Sequence, residues 1–388
     1  MRGKMQLLEK YSFHMLWTIL MLISVLRIRG IEYIFCALSG MFVLILVSKI
    51  RIARASLPIY FFAMGLVVAM ILGLVTNINM NAIRQIIFMC IIVVLFLYGE
   101  LLDELKCDLY FYVSYLLMCI ANIIRLYVLE MSIEENVLAG QLLFLFMLFN
   151  LLFLLKKKQL EKIDKIIICG NILLGLALLY QTKSRTALLV LAFAFLLTMI
   201  VLKIKLSKKV YRCIFWVVFI GCIVMIFIYM YVTKLPFYDS INKMSLKAFD
   251  KNIDSARSYL WLSQLQRIKH GWMMGCGTGT LPDLFRYQSS SYHNSYIQLL
   301  VQNGVIGCFF LIMLLWSWWK SFEEYRNDWF IRLVNVYFIC IIIYNCFETT
   351  LIANKFSIAI IEWLILMMGR IRISKQQKNE NERQYEKE

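Results

Sequence analysis

Val217-Val218-Phe219-Ile220-Gly221-Cys222-Ile223-Val224-Met225-Ile226-Phe227-Ile228-Tyr229, inside an apolar run over 210–232, decides the fold class. A helix needs about 20 apolar residues to cross the roughly 30 Å hydrocarbon layer, and this run supplies them. Similar runs lie near 13–28, 31–48, 57–75, 82–99, 109–129, 137–155, 163–180, 186–202, 293–317, 329–347 and 351–369, twelve with the first. Helices satisfy their own backbone in lipid, so the chain reads as all-α, a polytopic membrane protein.

Composition agrees: 388 residues are 61% hydrophobic and 17% charged, with mean hydropathy +0.72 and three prolines. That excludes a soluble globular enzyme. The net charge of +17 would suggest nucleic acid in a soluble protein, but the excess sits in short segments between apolar runs, and no nucleic-acid motif accompanies it. Most of the 11 cysteines fall inside apolar runs, where they act as small hydrophobes. The run from Phe13 to Leu26 is followed by Arg27 and Arg29 in place of a small-residue cleavage site, so it reads as a retained first span.

Orientation follows the short connections. With the N-terminus inside, the inner segments hold Lys49, Arg51 and Arg54, then Lys156–Lys158, Lys162 and Lys165, then Lys203, Lys205, Lys208, Lys209 and Arg212, and the tail from Arg370. The outer ones hold only Arg27, Arg29, Arg84, Lys183, Arg185 and Lys355. Both termini are therefore expected in the cytosol. This divides the chain into nine N-terminal spans over 1–232, an extracytoplasmic loop over 233–292, three C-terminal spans over 293–369, and a disordered cytosolic tail over 370–388.

Chemistry on an outer substrate is expected in and beside the long loop. Ser184 is a candidate N-cap with Arg185 and Thr186 in the first helical turn, where free N–H groups and a guanidinium suit a phosphate. On the residues alone, Arg185 serves equally as an interfacial arginine. Apolar residues at 259, 260, 262, 265 and 268 recur at helical spacing, giving an amphipathic helix against the membrane face with Arg257 near its start. Arg257 is a second phosphate candidate. Gly275-Cys276-Gly277-Thr278-Gly279-Thr280 lacks the Lys-Ser/Thr ending of a nucleotide loop and signals only a closely approached backbone.

His293 opens the next span. A helix N-terminus disfavours imidazolium, and a neutral ring can take a proton from a hydroxyl. His270 is the rival base, and His14 starts the first span. Asp239, Asp250, Asp254 and Asp283 form no metal-binding pattern, so neither metal nor cofactor is expected. Arg84 and Arg125, near or within spans, could extend an anion path, with Glu348 as a structural partner. Tyr238, Tyr259, Trp272, Tyr287 and Tyr292 offer aromatic faces for sugar rings, or for the membrane interface.

The order Ser184-Arg185-Thr186, Arg257 before Tyr259-Leu260-Trp261, the Gly-x-Gly turn at Gly277, and His293-Asn294-x-Tyr296 before Gly304-x-x-Gly307 resembles the O-antigen ligase and Wzy polymerase superfamily. The resemblance covers Ser184 to Gly307 in detail. It implies a glycosyltransferase C-type membrane fold acting on undecaprenyl-diphosphate-linked sugars outside the bacterial cytoplasmic membrane. Arg185 and Arg257 would hold the donor diphosphate, and His293 would activate the acceptor hydroxyl. Ser184, Thr186, Tyr259, Gly277, Asn294, Tyr296 and Arg84 would support them.

The implied reaction is a metal-independent, inverting transfer to another lipid-linked repeat unit, as in a surface polysaccharide (O-antigen or capsule) polymerase. Undecaprenyl-diphosphate-linked donor and acceptor, membrane lipids and a chain-length regulator protein would be the partners. Two other readings stay open: a ligase moving the glycan to a lipid or protein acceptor, and a flippase for lipid-linked oligosaccharides.

Overall fold

The computed structural model describes residues 56–101, 120, 135–155, 162–268, 271–282, 291–352 and 356–385. The expected spans near 13–28 and 31–48, and that near 109–129 but for Ile120, lie outside the described residues, as do His14, Arg125 and His270. Among the described residues all regular structure is helical. The helices are α1 (Leu57–Thr76), α2 (Met80–Leu101), α3 (Glu135–Leu154), α4 (Lys162–Gln181), α5 (Arg185–Val201), α6 (Lys208–Met230), α7 (Tyr238–Phe249), α8 (Arg257–Arg267), α9 (Ser295–Ser321), α10 (Trp329–Tyr344) and α11 (Phe356–Tyr385).

Four of these helices, α1, α3 from Asn136, α6 and α9, are long and apolar enough to cross a membrane; Met80–Val94, α5 and α10 are shorter apolar helices. Twelve spans are thus more than length and composition establish in the described residues. At 1.5 Å per residue the 17 residues of α5 reach about 26 Å, a little short of the hydrocarbon thickness.

Helix α10 forms the centre of the bundle. Phe330 to Tyr344 are almost all buried, as expected of a helix apolar on every side. It packs against α3, α5, α6 and α11, and α9 lies along α1. The α6 helix is one-sided: Tyr211, Phe215, Phe219, Cys222, Ile226 and Met230 face inward, while Val217, Ile220, Val224 and Phe227 are exposed. Tyr211 stacks on Trp319 at 4.6 Å, its hydroxyl donates to the Trp319 carbonyl, and the Trp319 indole donates to the Tyr211 carbonyl. That reciprocal pair ties α6 to α9.

Two features differ from the sequence reading. Within 233–292, α8 stands where the amphipathic helix was expected, but α7 precedes it and the glycine turn tucks back between α1 and α9. Cys276 and Gly277 donate backbone N–H groups to the carbonyls of Val301 and Gln302, and Val305 donates to Trp272. Helix α9 is broken there at Gly304 (φ 62°, ψ −161°), where a Cβ would strike the Met273 carbonyl. The second difference is the tail. The disordered segment expected from Arg370 continues α11 to Tyr385. Arg370 donates to Ser56, Arg372 donates to the Leu155 carbonyl and lies 3.7 Å from Asp328, and Gln376 donates to Asp328. These contacts anchor the helix to the bundle end as far as Gln376.

Candidate active site

Arg185, Arg257 and His293 lie at one end of the bundle. Helices α5 and α9 begin there, α6 and α10 end there, and α8 lies across it. Ser184 holds the N-cap position of α5 (φ −86°, ψ 100°), but its side chain makes no capping bond. Thr182 does the local bonding, donating to the Leu179 carbonyl and accepting from the Ser184 N–H.

Arg185 reaches into the connection between α7 and α8. Its guanidinium donates to Ser245 Oγ (2.7 Å), the Asn252 carbonyl (2.8 Å) and Ser255 Oγ (2.7 Å). These acceptors are all neutral. Arg185 thus ties the start of α5 to the α7–α8 connection, a contact that fits the interfacial reading as well as the phosphate reading. Arg257 opens α8 as expected. Ser255 and Ala256 before it take left-handed backbone (φ 48° and 60°), and Asp254 caps the helix by accepting the Ser258 N–H at 2.9 Å. Tyr229, at the end of α6, donates to the Ile253 carbonyl at 2.5 Å and thereby holds the same turn.

Arg257 Nη2 meets Glu348 Oε1 at 2.9 Å, and Glu348 Oε2 lies 3.6 Å from His293 Nδ1, which makes no hydrogen bond of its own. Glu348 was expected as a partner of Arg84 or Arg125; its observed partners are Arg257 and His293. Burial pushes the Glu348 carboxyl up, but the His293 ring and the Arg257 guanidinium outweigh burial and hold it below the ordinary carboxylate range. His293 has left-handed backbone (φ 51°), an uncommon conformation for a non-glycine residue. Its neighbours hold it there. Asn294 is fully buried, accepts the Ile297 N–H and donates to the Cys346 carbonyl, while the Ser295 N–H donates to the carbonyls of Asn345 and Glu348.

A groove of about 1030 Å³ runs from this cluster between α4, α5, α6, α7 and α10. Its walls include Leu189, Phe193, Met225, Ile241, Met244, Phe249 and Phe347, and its polar lining comes chiefly from Arg185, Thr186, Tyr229, Ser245 and Arg257. Leu189 and Met244 are each 71% exposed, so the groove opens sideways through an apolar rim. Its volume exceeds that of common drug-sized sites (about 300–1,000 Å³). An amphiphile with a long apolar part and an anionic head matches these walls.

Residues 170–312 match the family model Wzy_C, O-antigen ligase.

The match supports the O-antigen ligase and Wzy superfamily, whose members are membrane glycosyltransferase-like enzymes acting on lipid-linked oligosaccharides. The matched segment runs from within α4 into α9 and contains Arg185, Arg257 and His293. Glu348 lies beyond it. Among curated proteins none matches the chain.

The remaining candidates divide by position. Thr186 lines the groove, and Tyr259 is 38% exposed on α8. Gly277 (φ 101°) packs on α1, where a Cβ would lie 2.5 Å from Asn77 Cβ, so its role is in the docked turn. Tyr296 donates to the Ile342 carbonyl and braces α9 on α10. Arg84 lies over the Phe88 ring at 5.1 Å and does not line the groove. Tyr292 is buried, donating to the Thr280 carbonyl, whereas Trp272 is 58% exposed; Tyr287 and Asp283 lie outside the described residues. Tyr229, Ser245 and Ser255 escaped the sequence reading. Nothing in their spacing marks them, because each is brought to Arg185 or Arg257 by helix packing.

Proposed function

We propose that this protein is a polysaccharide repeat-unit polymerase of the bacterial cytoplasmic membrane. It transfers an undecaprenyl-diphosphate-linked glycan to the acceptor sugar of another lipid-linked repeat unit, with inversion and without a metal. The observation that carries this reading is the apolar groove ending on Arg185 and Arg257, with Arg257 joined through Glu348 to His293. The isoprenoid occupies the groove and the diphosphate sits at the arginines. Glu348 engages only Nη2 of Arg257, so the other guanidinium donors remain for phosphate oxygens. Arg185 exchanges its neutral acceptors for the diphosphate, because an anionic oxygen adds charge attraction that hydroxyls and carbonyls lack, and a guanidinium can hold phosphate through two bonds.

Glu348, beside Nδ1, favours the tautomer that carries its proton there and leaves Nε2 as the base. His293 Nε2 takes the proton from the acceptor hydroxyl as its oxygen attacks the anomeric carbon. The bond to the lipid diphosphate breaks on the opposite face, and the arginines stabilise the charge that develops there. The basic segment Lys203–Arg212 lies at the other end of α6 and supports an extracytoplasmic site.

The test is a glycan-length assay in membranes supplied with the lipid-linked repeat, comparing wild type with His293→Ala at equal protein level. A wild-type ladder that collapses to single repeats in the variant is the expected result, with loss of about 10²–10⁴ in rate. An unchanged ladder would overturn His293 as the base. The family description favours one second reading, a ligase, in which wild type makes no ladder but moves a preformed glycan to a different acceptor.

A further inference from the structure

Glu362 stands in α11, beyond the segment matched to the family, and is fully buried. Its Oε1 accepts from Asn345 Nδ2 at 2.9 Å and from Thr350 Oγ1 at 2.7 Å, and its Oε2 has no hydrogen-bond partner. A buried carboxyl with one bare oxygen is costly, and the residues it touches are those that hold Glu348 in place.

The consequence runs through the Asn345 amide. Because Nδ2 faces Glu362 and the Ile341 carbonyl, Oδ1 faces the other way. There it accepts the Ser295 hydroxyl at 2.6 Å and the N–H groups of Leu351 at 2.8 Å and Thr350 at 3.3 Å. A flipped amide would set its NH2 against those N–H groups. The Glu362 carboxyl thus joins the Ile341 carbonyl and the Leu351 and Thr350 N–H groups in fixing the Asn345 orientation, and that orientation shapes the turn over 345–351. The turn carries Glu348 and grips the start of α9, since the Glu348 carbonyl accepts both the N–H and the hydroxyl of Ser295 at 3.1 Å. Glu348 and His293 are therefore held face to face by a network that closes on a third helix.

We propose that Glu362 is a positioning residue for the transfer reaction: through Asn345 and Thr350 it sets the placement of Glu348 against His293 and Arg257. This rests on the glycosyl-transfer reading above. Glu362 touches no substrate. Its effect falls on the rate of transfer and not on binding of the lipid-linked donor in the groove, which it does not line.

The experiment compares Glu362→Gln, Glu362→Leu, Asn345→Asp and the double variant Asn345→Asp/Glu362→Gln, with kcat and donor KM measured per folded protein in membranes supplied with the lipid-linked repeat. Glu362→Gln keeps an acceptor oxygen and stays within about threefold of wild type, whereas Glu362→Leu loses about thirtyfold or more in kcat with KM changed less than about threefold. Asn345→Asp sets two carboxyls against each other and falls as far. The double variant restores a donor–acceptor pair with the roles reversed, the amide now on α11 and the carboxylate on the turn, and recovers about tenfold over Asn345→Asp alone.

Wild-type kcat in folded Glu362→Leu, or no recovery in the folded double variant, would overturn the proposal. Should Glu362→Leu fail to fold, the exchange between Asn345 and Glu362 still decides. Activity retained in His293→Ala would sink the base assignment instead, and recovery in the double variant would still be read on whatever transfer the protein performs.

Discussion

The two ends of the bundle carry the same residue types and use them differently. At the end where α6 and α10 begin, Arg212 grips Glu323 with two bonds (2.9 and 2.8 Å), Lys208 pairs with Glu324, and Arg372 approaches Asp328. Arg332, 8% exposed, donates to the carbonyls of Val201, Leu202, Ile204 and Asn327, closing the end of α5. That end is nearly complete: its guanidinium groups meet carboxylates and carbonyls that are part of the fold, with Arg372 Nε left unbonded. At the other end Arg185 meets only neutral acceptors, His293 Nδ1 has no hydrogen bond, and an apolar groove opens beside both arginines. Polar groups that the fold leaves incompletely matched are the ones free to exchange partners with a substrate.

The contrast breaks most readily at Glu348. Glu348→Ala leaves Arg257 buried without its carboxylate, an uncompensated charge costing about 3–5 kcal/mol, and deprives His293 of its neighbour. Transfer is expected to fall by about 10²-fold or more, read as loss of the glycan ladder at equal protein level. If transfer survives, the cluster is structural like the opposite end.

Arg332→Ala, at the nearly complete end, is expected to act oppositely. It strands the last carbonyls of α5 and costs on the order of 1–3 kcal/mol, seen as a lower midpoint in thermal unfolding in detergent. Transfer per folded molecule stays at the wild-type level.

Acid sharpens the comparison further. The Glu348 carboxyl lies below its ordinary value in the folded protein, so its stabilising contribution is complete above that ordinary value and is lost as pH falls through the depressed one. The stability gap between wild type and Glu348→Gln is therefore expected at neutral pH and should close on acidification below the usual carboxylate range near about 4. A gap that widens with acid would contradict the pairing. The smallest effect belongs to Lys208→Ala, because Lys208 and Glu324 have side chains 50% and 68% exposed and solvent-screened pairs contribute little. Neither unfolding nor transfer should change measurably.

Much of the site's cast was legible before the fold was known. Arg257 opens an amphipathic helix because apolar residues recur from 259 to 268, and the observed α8 covers Arg257–Arg267. The glycine turn announced a closely approached backbone, and it is the segment that docks at the Gly304 break. Glu348 was visible only as an acid at a span end, offered as a partner for Arg84 or Arg125, whereas the partners it meets are Arg257 and His293. Periodicity tells which face of a helix is buried and says nothing about which helix will face it. The tail, expected to be disordered, continues α11 for a related reason: from Lys375 onward its residues are polar, and Arg372 and Gln376 find partners in Leu155 and Asp328, far away in the chain.

By itself the sequence determined an all-helical membrane protein, the positions of its apolar runs, and the order of two arginines and a histidine around a long polar segment. Those properties follow from local composition, since a helix in lipid is specified by its own apolar residues. Tertiary structure alone decided that Arg257, 91 positions from Glu348, is its ion-pair partner. It also decided that Arg185 is held by Ser245 and Ser255, that an apolar groove lies beside both arginines, and that Glu362 braces the turn at Glu348. Each of these depends on which helix ends meet, and that is set by side-chain packing between helices far apart in the chain.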